Sequence, residues 1–205
     1  NVITLSEDAD NSVKLAAANQ GKALAVAGGV DVNISQSTFG AVGTVAINRG
    51  VNNTESIVDG KENGEKTKLD KVKELSVTAE ELTKKTTVAG SVSVGGKKVG
   101  IGGAVAYTSV GTDGTREKLR AEINNADITT TDAGTIEVST KDSKTEGTNT
   151  DKSRIITVGA GFGVSWGSNL FNLQGGAAVS DIYKDSLAAL NNTNINANNA
   201  DSHPT

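Results

Sequence analysis

Three times along the chain, at intervals of roughly 65 residues, the same succession of short lines of small residues returns. The first line reads Ala25-Val26-Ala27-Gly28-Gly29-Val30-Asp31-Val32, then Val88-Ala89-Gly90-Ser91-Val92-Ser93-Val94, then Val158-Gly159-Ala160-Gly161-Phe162-Gly163-Val164. A second line follows as Gly43-Thr44-Val45-Ala46-Ile47, Gly103-Ala104-Val105-Ala106-Tyr107 and Gly176-Ala177-Ala178-Val179-Ser180. The third is Ser56-Ile57-Val58-Asp59-Gly60, Ala121-Glu122-Ile123-Asn124-Asn125 and Ala188-Ala189-Leu190-Asn191-Asn192. Alternation of this kind is that of β-strands, whose successive side chains face opposite ways. The Asn, Asp and Gly that stop the third line are turn formers.

A recurrence this long, divided into strand-turn lines of about 20 residues, predicts a solenoid of stacked coils, about three coils to each module. The modules fall at residues 2–74, 75–135 and 136–200, and the chain reads as one continuous rod over 1–205 without a linker. Composition agrees: aromatics make up 3%, Met and Cys are absent, and 24 residues are Gly, so an ordinary globular core would be hard to fill. Inside a β-helix, Val, Ile, Leu and Ala stack on the same residue types in neighbouring coils, and rings are not needed. The pairs Asn52-Asn53, Asn124-Asn125, Asn191-Asn192 and Asn198-Asn199 are expected at corners, because Asn tolerates left-handed backbone.

Residues 66–85 carry Leu69, Val72, Leu75 and Leu82 at partly helical spacing, and a short part of this stretch is expected to be helical. The polar runs 61–68 and 141–152 are expected to loop out from the rod as insertions.

Charge and composition exclude several functions. A net charge of -4 with both signs interspersed offers neither a nucleic-acid track nor an anionic-membrane surface. No segment reaches the roughly 18 to 20 apolar residues of a membrane helix, and the chain is expected to be soluble and not membrane-embedded. An outer-membrane barrel is not expected either, since aromatic girdles and a lipid-facing apolar band are missing. Without cysteine there is no disulfide, thiolate nucleophile or thiolate zinc site. The lack of Met suggests a piece of a longer chain.

Candidates for chemistry are few. The only histidine, His203, sits beside the only proline near the end, which leaves little for a His-based mechanism. The carboxylate pairs Glu80-Glu81, Asp8 with Asp10, and Asp127 with Asp132 are read as solvated charges, and Glu80 and Glu81, adjacent on a strand, point to opposite faces. Asp8-Ala9-Asp10-Asn11 begins like a calcium loop but lacks the Gly and the closing acid. Gly95-Gly96-Lys97-Lys98 with Gly100, Gly102 and Gly103 fits no phosphate-binding spacing. No catalytic, metal or cofactor site is expected. Phe162, Trp166 and Phe171 form the one bulky cluster: Phe162 is expected inside, and Trp166, at a turn, is the candidate partner contact.

The succession Gly103 to Val110, then Ala121-Glu122-Ile123-Asn124-Asn125-Ala126-Asp127-Ile128, then Gly134-Thr135-Ile136-Glu137-Val138-Ser139-Thr140, resembles the repeats of filamentous-haemagglutinin-like exoproteins, and among them the large leukotoxin-type two-partner-secreted kind. The resemblance implies a right-handed parallel β-helix, exported with the help of an outer-membrane secretion partner. It further implies a product secreted or held on the bacterial surface that acts on a host-cell protein or glycan receptor. It carries over no catalytic residue. Two other functions fit the pattern: a polysaccharide-binding or polysaccharide-cleaving β-helix, and a pure spacer.

Overall fold

The computed structural model describes residues 2–4, 12–33, 39–60, 65–95, 99–146, 149–166 and 171–197. Fourteen strands follow in order: β1 Val2–Thr4, β2 Ser12–Asn33, β3 Phe39–Gly50, β4 Asn53–Asp59, β5 Thr67–Gly95, β6 Val99–Val110, β7 Glu117–Asn124, β8 Ala126–Lys141, β9 Ser143–Glu146, β10 Asn149–Lys152, β11 Arg154–Ser165, β12 Phe171–Ile182, β13 Lys184–Asn191 and β14 Asn194–Ala197. Among the described residues the fold is all-β, with no helix.

Pairing is parallel in three sheets. β5 is central in the largest, with β1 and β2 on one side, β8 and β11 on the other, and β14 beyond β8. The other two run β3–β6–β12 and β4–β7–β13. Positions that the sequence aligns are hydrogen-bonded neighbours: Val26, Val88 and Val158 lie side by side, as do Ser56, Ala121 and Ala188. In the second line the third copy is one residue out, because Gly175 rather than Gly176 pairs with Gly103.

This register corrects the expectation of about three coils per module. Among the described residues the three lines of one module do not pair with one another; each pairs with its counterpart in the next module. The three lines of a module lie in three different sheets. The arrangement is compatible with a parallel β-helix.

The expected helix is also corrected. Leu69, Val72 and Leu75 are buried on β5, and their spacing of three arises from irregular pairing with β8 between Leu69 and Val72 and between Val72 and Glu74. A bulge adds a residue to one strand, so an inward side chain falls three positions on instead of two. Lys71, at φ 60°, supplies the local turn of the backbone.

The core of this region is a set of ladders. Leu75 of the middle copy lies between Val13 and Ile136, Val77 between Leu15 and Val138, and Ile123 between Val58 and Leu190. The middle rungs are buried, together with Leu119, Ala121 and Ile128. Burying one such aliphatic side chain contributes about 1.5–3 kcal/mol. At the corner after β7, Asn125 and Asn192 are left-handed, at φ 51° and 47°, and Asn192 donates to Asn125 Oδ1 at 2.7 Å. Asn52 and Asn53 have no positive φ, and Asn198-Asn199 lie outside the described residues.

Farther along β5 the molecule thins into a two-sheet blade. There β2, β5 and β11 lie against β3, β6 and β12, closed inside by Ala46, Ala89, Ala104 and Ala106. A Cβ on Gly159 would come within 2.2 Å of the Ala177 carbonyl, so the two backbones meet directly at that point. Stacked sheets ordinarily stand about 10 Å apart. Where a larger residue does point inward, glycine faces it: a Cβ on Gly29 would come within 2.9 Å of the Val42 side chain.

The polar run 141–152 does interrupt the third copy. β9 and β10 form an antiparallel hairpin between β8 and β11, so four steps along β5, from Glu80 to Lys84, face thirteen from Lys141 to Arg154. In the run 61–68, residues 61–64 lie outside the described set, and Thr67 already opens β5.

Candidate functional site

Between the aliphatic ladders and the blade, the inward positions of β5 turn polar: Glu81, Thr83, Lys85 and Thr87 are all buried. Strand alternation delivers them to one interior line. Glu117, the first residue of β7, is buried opposite them, and its register partner on β13 is Lys184. Two carboxylates and two ammonium groups therefore share one junction.

Each finds partners. Lys85 Nζ donates to the Gly50 and Ser109 carbonyls, both at 3.1 Å. Glu81 Oε1 accepts from the Thr83 hydroxyl at 2.7 Å, and Glu117 Oε2 accepts the Asn52 N–H at 3.2 Å. Lys184 Nζ stands 3.1 Å from Glu81 Oε2 and 3.7 Å from Glu117 Oε1, and donates to Asp142 Oδ1 at 2.8 Å. Glu81 Oε2 and Glu117 Oε1 meet Lys184 as an ion pair, without a directed hydrogen bond.

Burial and the neighbouring Glu81 push the Glu117 carboxyl up to about 7, against the partial opposition of the Asn52 N–H and Lys184. Burial lowers Lys85, with Glu117 and Glu81 offsetting part of the effect. For Lys184 burial works downward, but the hydrogen bond to Asp142 and the attraction of the Glu81 and Asp142 carboxylates prevail and hold it above its usual value.

Beside the junction the hairpin leaves an opening of about 300 Å³, lined by Thr83, Glu117, Asp142, Ser153 and Lys184 among others. Ser153 completes its wall: its Oγ accepts the Thr83 N–H at 2.9 Å and donates to Asp142 Oδ1 at 2.7 Å. The opening joins a buried carboxyl that holds its proton near neutrality to an ammonium and a hydroxyl. Val110, Ile155 and Ile182 supply the apolar part of its lining.

The residues singled out by sequence are scattered. Glu80 and Glu81 do diverge, Glu80 pairing with Lys141 at 3.7 Å; Glu81, expected as a solvated charge, is instead fully buried, because its register on β5 turns it inward. Asp127 is half-buried and bonded by Lys66 and Asn194, which hold its carboxyl below the usual range; the side chain of Asp132 is outside the described residues. Asp8, Asp10 and His203 also lie outside them. Gly95 ends β5, Gly96 to Lys98 are undescribed, and a strand rather than a helix follows. Among the described residues no cluster of three or more His, Asp or Glu is placed to hold a metal. Lys85, Glu117 and Lys184 went unnoticed; their only sequence signal was a charge in the inward register.

Trp166 follows directly on β11 and is 55% exposed. Phe162 was expected inside and is instead 69% exposed, because its neighbours Gly161 and Gly163 occupy the thin interior. The same inversion holds over the whole blade. Val26, Val30, Val92, Phe162 and Val164 line one outer face; Phe39, Ile47, Ile101, Val105 and Leu173 line the other. This corrects the expectation that an outward apolar band is missing: the small residues take the inner face and leave the apolar ones outside. Among the described residues no helix is long and apolar enough to cross a membrane, which leaves strands unaddressed.

Comparison with protein-family models, with curated proteins and with solved structures returns no match to this chain. Fold and site define its class: an all-β protein of stacked parallel sheets, with a buried ionic junction and an apolar blade.

Proposed function

We propose that this chain is a segment of a secreted or surface-displayed bacterial exoprotein of the leukotoxin or adhesin kind. In this reading it is a right-handed parallel β-helix with one circuit per module, and it acts on host cells without catalysis. The observation that carries the reading is the register in which equivalent lines of three modules lie side by side, since such stacking builds length and displays loops. The resemblance of the repeats to exoproteins of that kind supplies the host-cell side, a protein or glycan receptor, and the outer-membrane secretion partner. Trp166 is the contact residue of choice.

The test is saturable binding of the labelled chain to leucocytes and epithelial cells, beside a variant lacking residues 143–152 and a Trp166→Ala variant. Binding lost with the loop or with Trp166 supports a contact role. Absence of binding to either cell type favours a spacer.

A second reading, a polysaccharide-binding or polysaccharide-cleaving β-helix, is favoured by the opening beside Glu117, where two carboxylates lie near one ammonium. Release of reducing ends from a glycan panel, abolished by Glu117→Gln, would replace the non-catalytic reading.

A further inference from the structure

The blade presents apolar side chains outward on both of its faces, and this is not an effect of unstacked ends. On the middle copy, flanked by a neighbour on either side, Val92 is 39%, Ile101 40% and Val105 42% exposed. Adding coils would not cover them. By contrast, Ile123 of the ladder core, flanked in the same way, is fully buried.

Charge follows the same division. Residues 86–95 and 99–108 carry no charged side chain, with Lys97 and Lys98 between them in sequence, residues 155–180 carry none, and in residues 23–48 Asp31 alone is charged. Asp31 belongs to the inward-facing set of β2. At the base, charges return as Lys22, Arg49, Lys84, Arg154 and Asp181. There Tyr107 donates to Asp181 Oδ2 at 2.7 Å, with the Arg49 guanidinium 5.0 Å from its ring centre. At the other end stand Phe39, Trp166 and Phe171, all exposed.

Uncharged strands of about ten residues span roughly 33 Å at about 3.3 Å each, close to the roughly 30 Å of a bilayer's hydrocarbon core. Apolar residues outward, small residues inward and aromatic residues at both ends are the pattern of lipid-facing strands. A protein partner docking on one face would leave the other bare, whereas hydrocarbon covers both at once. Backbone satisfaction adds a condition. Among the described residues β3 and β12 each pair on one side only, and an open edge is not tolerated in lipid.

We infer that the blade is a lipid-inserting element that enters a bilayer tip first, its edges paired with further blades of the same kind. The inference stands apart from receptor binding, because a pure lipid vesicle carries no receptor.

Trp166, the only tryptophan, is a built-in probe at the tip. The experiment floats the whole chain with uncharged phosphatidylcholine vesicles and records quenching of Trp166 by lipids brominated on the acyl chain. Co-flotation with quenching, rising with protein concentration as edge pairing requires, is the expected result. Val92→Lys with Ile101→Lys should reduce the vesicle-bound fraction about tenfold or more, and Val92→Thr with Ile101→Thr by less. Circular dichroism checks that both variants keep the fold. Failure to float, flotation restricted to anionic vesicles without acyl-chain quenching, or lipid-independent stacking into dimers that buries the same residues would each overturn the inference.

Discussion

Glu117 carries the clearest pH signature. The folded chain keeps its proton up to about pH 7, whereas the unfolded chain releases it near 4.5. Between those values folding takes up a proton, so stability falls as pH rises and levels off above about 7. Glu117→Gln should remove that slope and leave the variant more stable than the parent at pH 8, by about 1–3 kcal/mol at one pKa unit per 1.36 kcal/mol. Urea melts at pH 5 and pH 8 measure both. The glycines inside the blade give a second residue-scale prediction. A Cβ on Gly176 would sit 2.2 Å from the Gly159 carbonyl, so Gly176→Val should cost about 2–4 kcal/mol or prevent folding. Gly175, whose Cβ would meet nothing, should accept Ala with a change below about 1 kcal/mol.

Elements differ in how far they depend on the stack. β9 and β10 pair only with each other, and their ties to the rest include exposed ion pairs such as Lys84–Asp151. Excising residues 143–152 should lower stability by about 1 kcal/mol or less in urea unfolding. β5 is the opposite case, since it crosses ladders, junction and blade in one run and pairs on both sides. Its strand character was legible at Leu75–Ala79, which the sequence aligns with the segment from Ile136 to Thr140 and which pairs with it in the structure. Leu69 and Val72 misled because a bulge and a helix both place apolar residues three apart, and only the partner strand distinguishes them. The Gly175-Gly176 pair was ambiguous for a simpler reason: either glycine satisfies the pattern.

At the scale of the molecule, the sequence repeat carried the register but not the width of the circuit. Alternation states that a strand has two faces without saying which is inside, and in the blade the apolar face is the outer one. Glycines and alanines on the inner face decide that, through a backbone approach visible only when two sheets are placed together. The ionic junction was hidden for the same reason: Glu81 and Glu117 belong to different lines, and only closure of the circuit joins them. Distributed stacking also predicts that one ladder responds differently at its rungs. Ile123→Ala, fully buried between two neighbours, should cost about 2–5 kcal/mol, and Leu190→Ala, on the end copy, less than half of that in the same urea titration.

The most direct test of one circuit per module uses the absence of native cysteine. Val88→Cys paired with Val158→Cys places two thiols on adjacent positions of neighbouring parallel strands, whereas Val88→Cys with Val105→Cys places them on opposite faces of the blade. Mild oxidation of the folded chain should cross-link the first pair within one molecule and leave the second free. Cross-linking of the second pair and not the first would contradict the register on which the whole account rests.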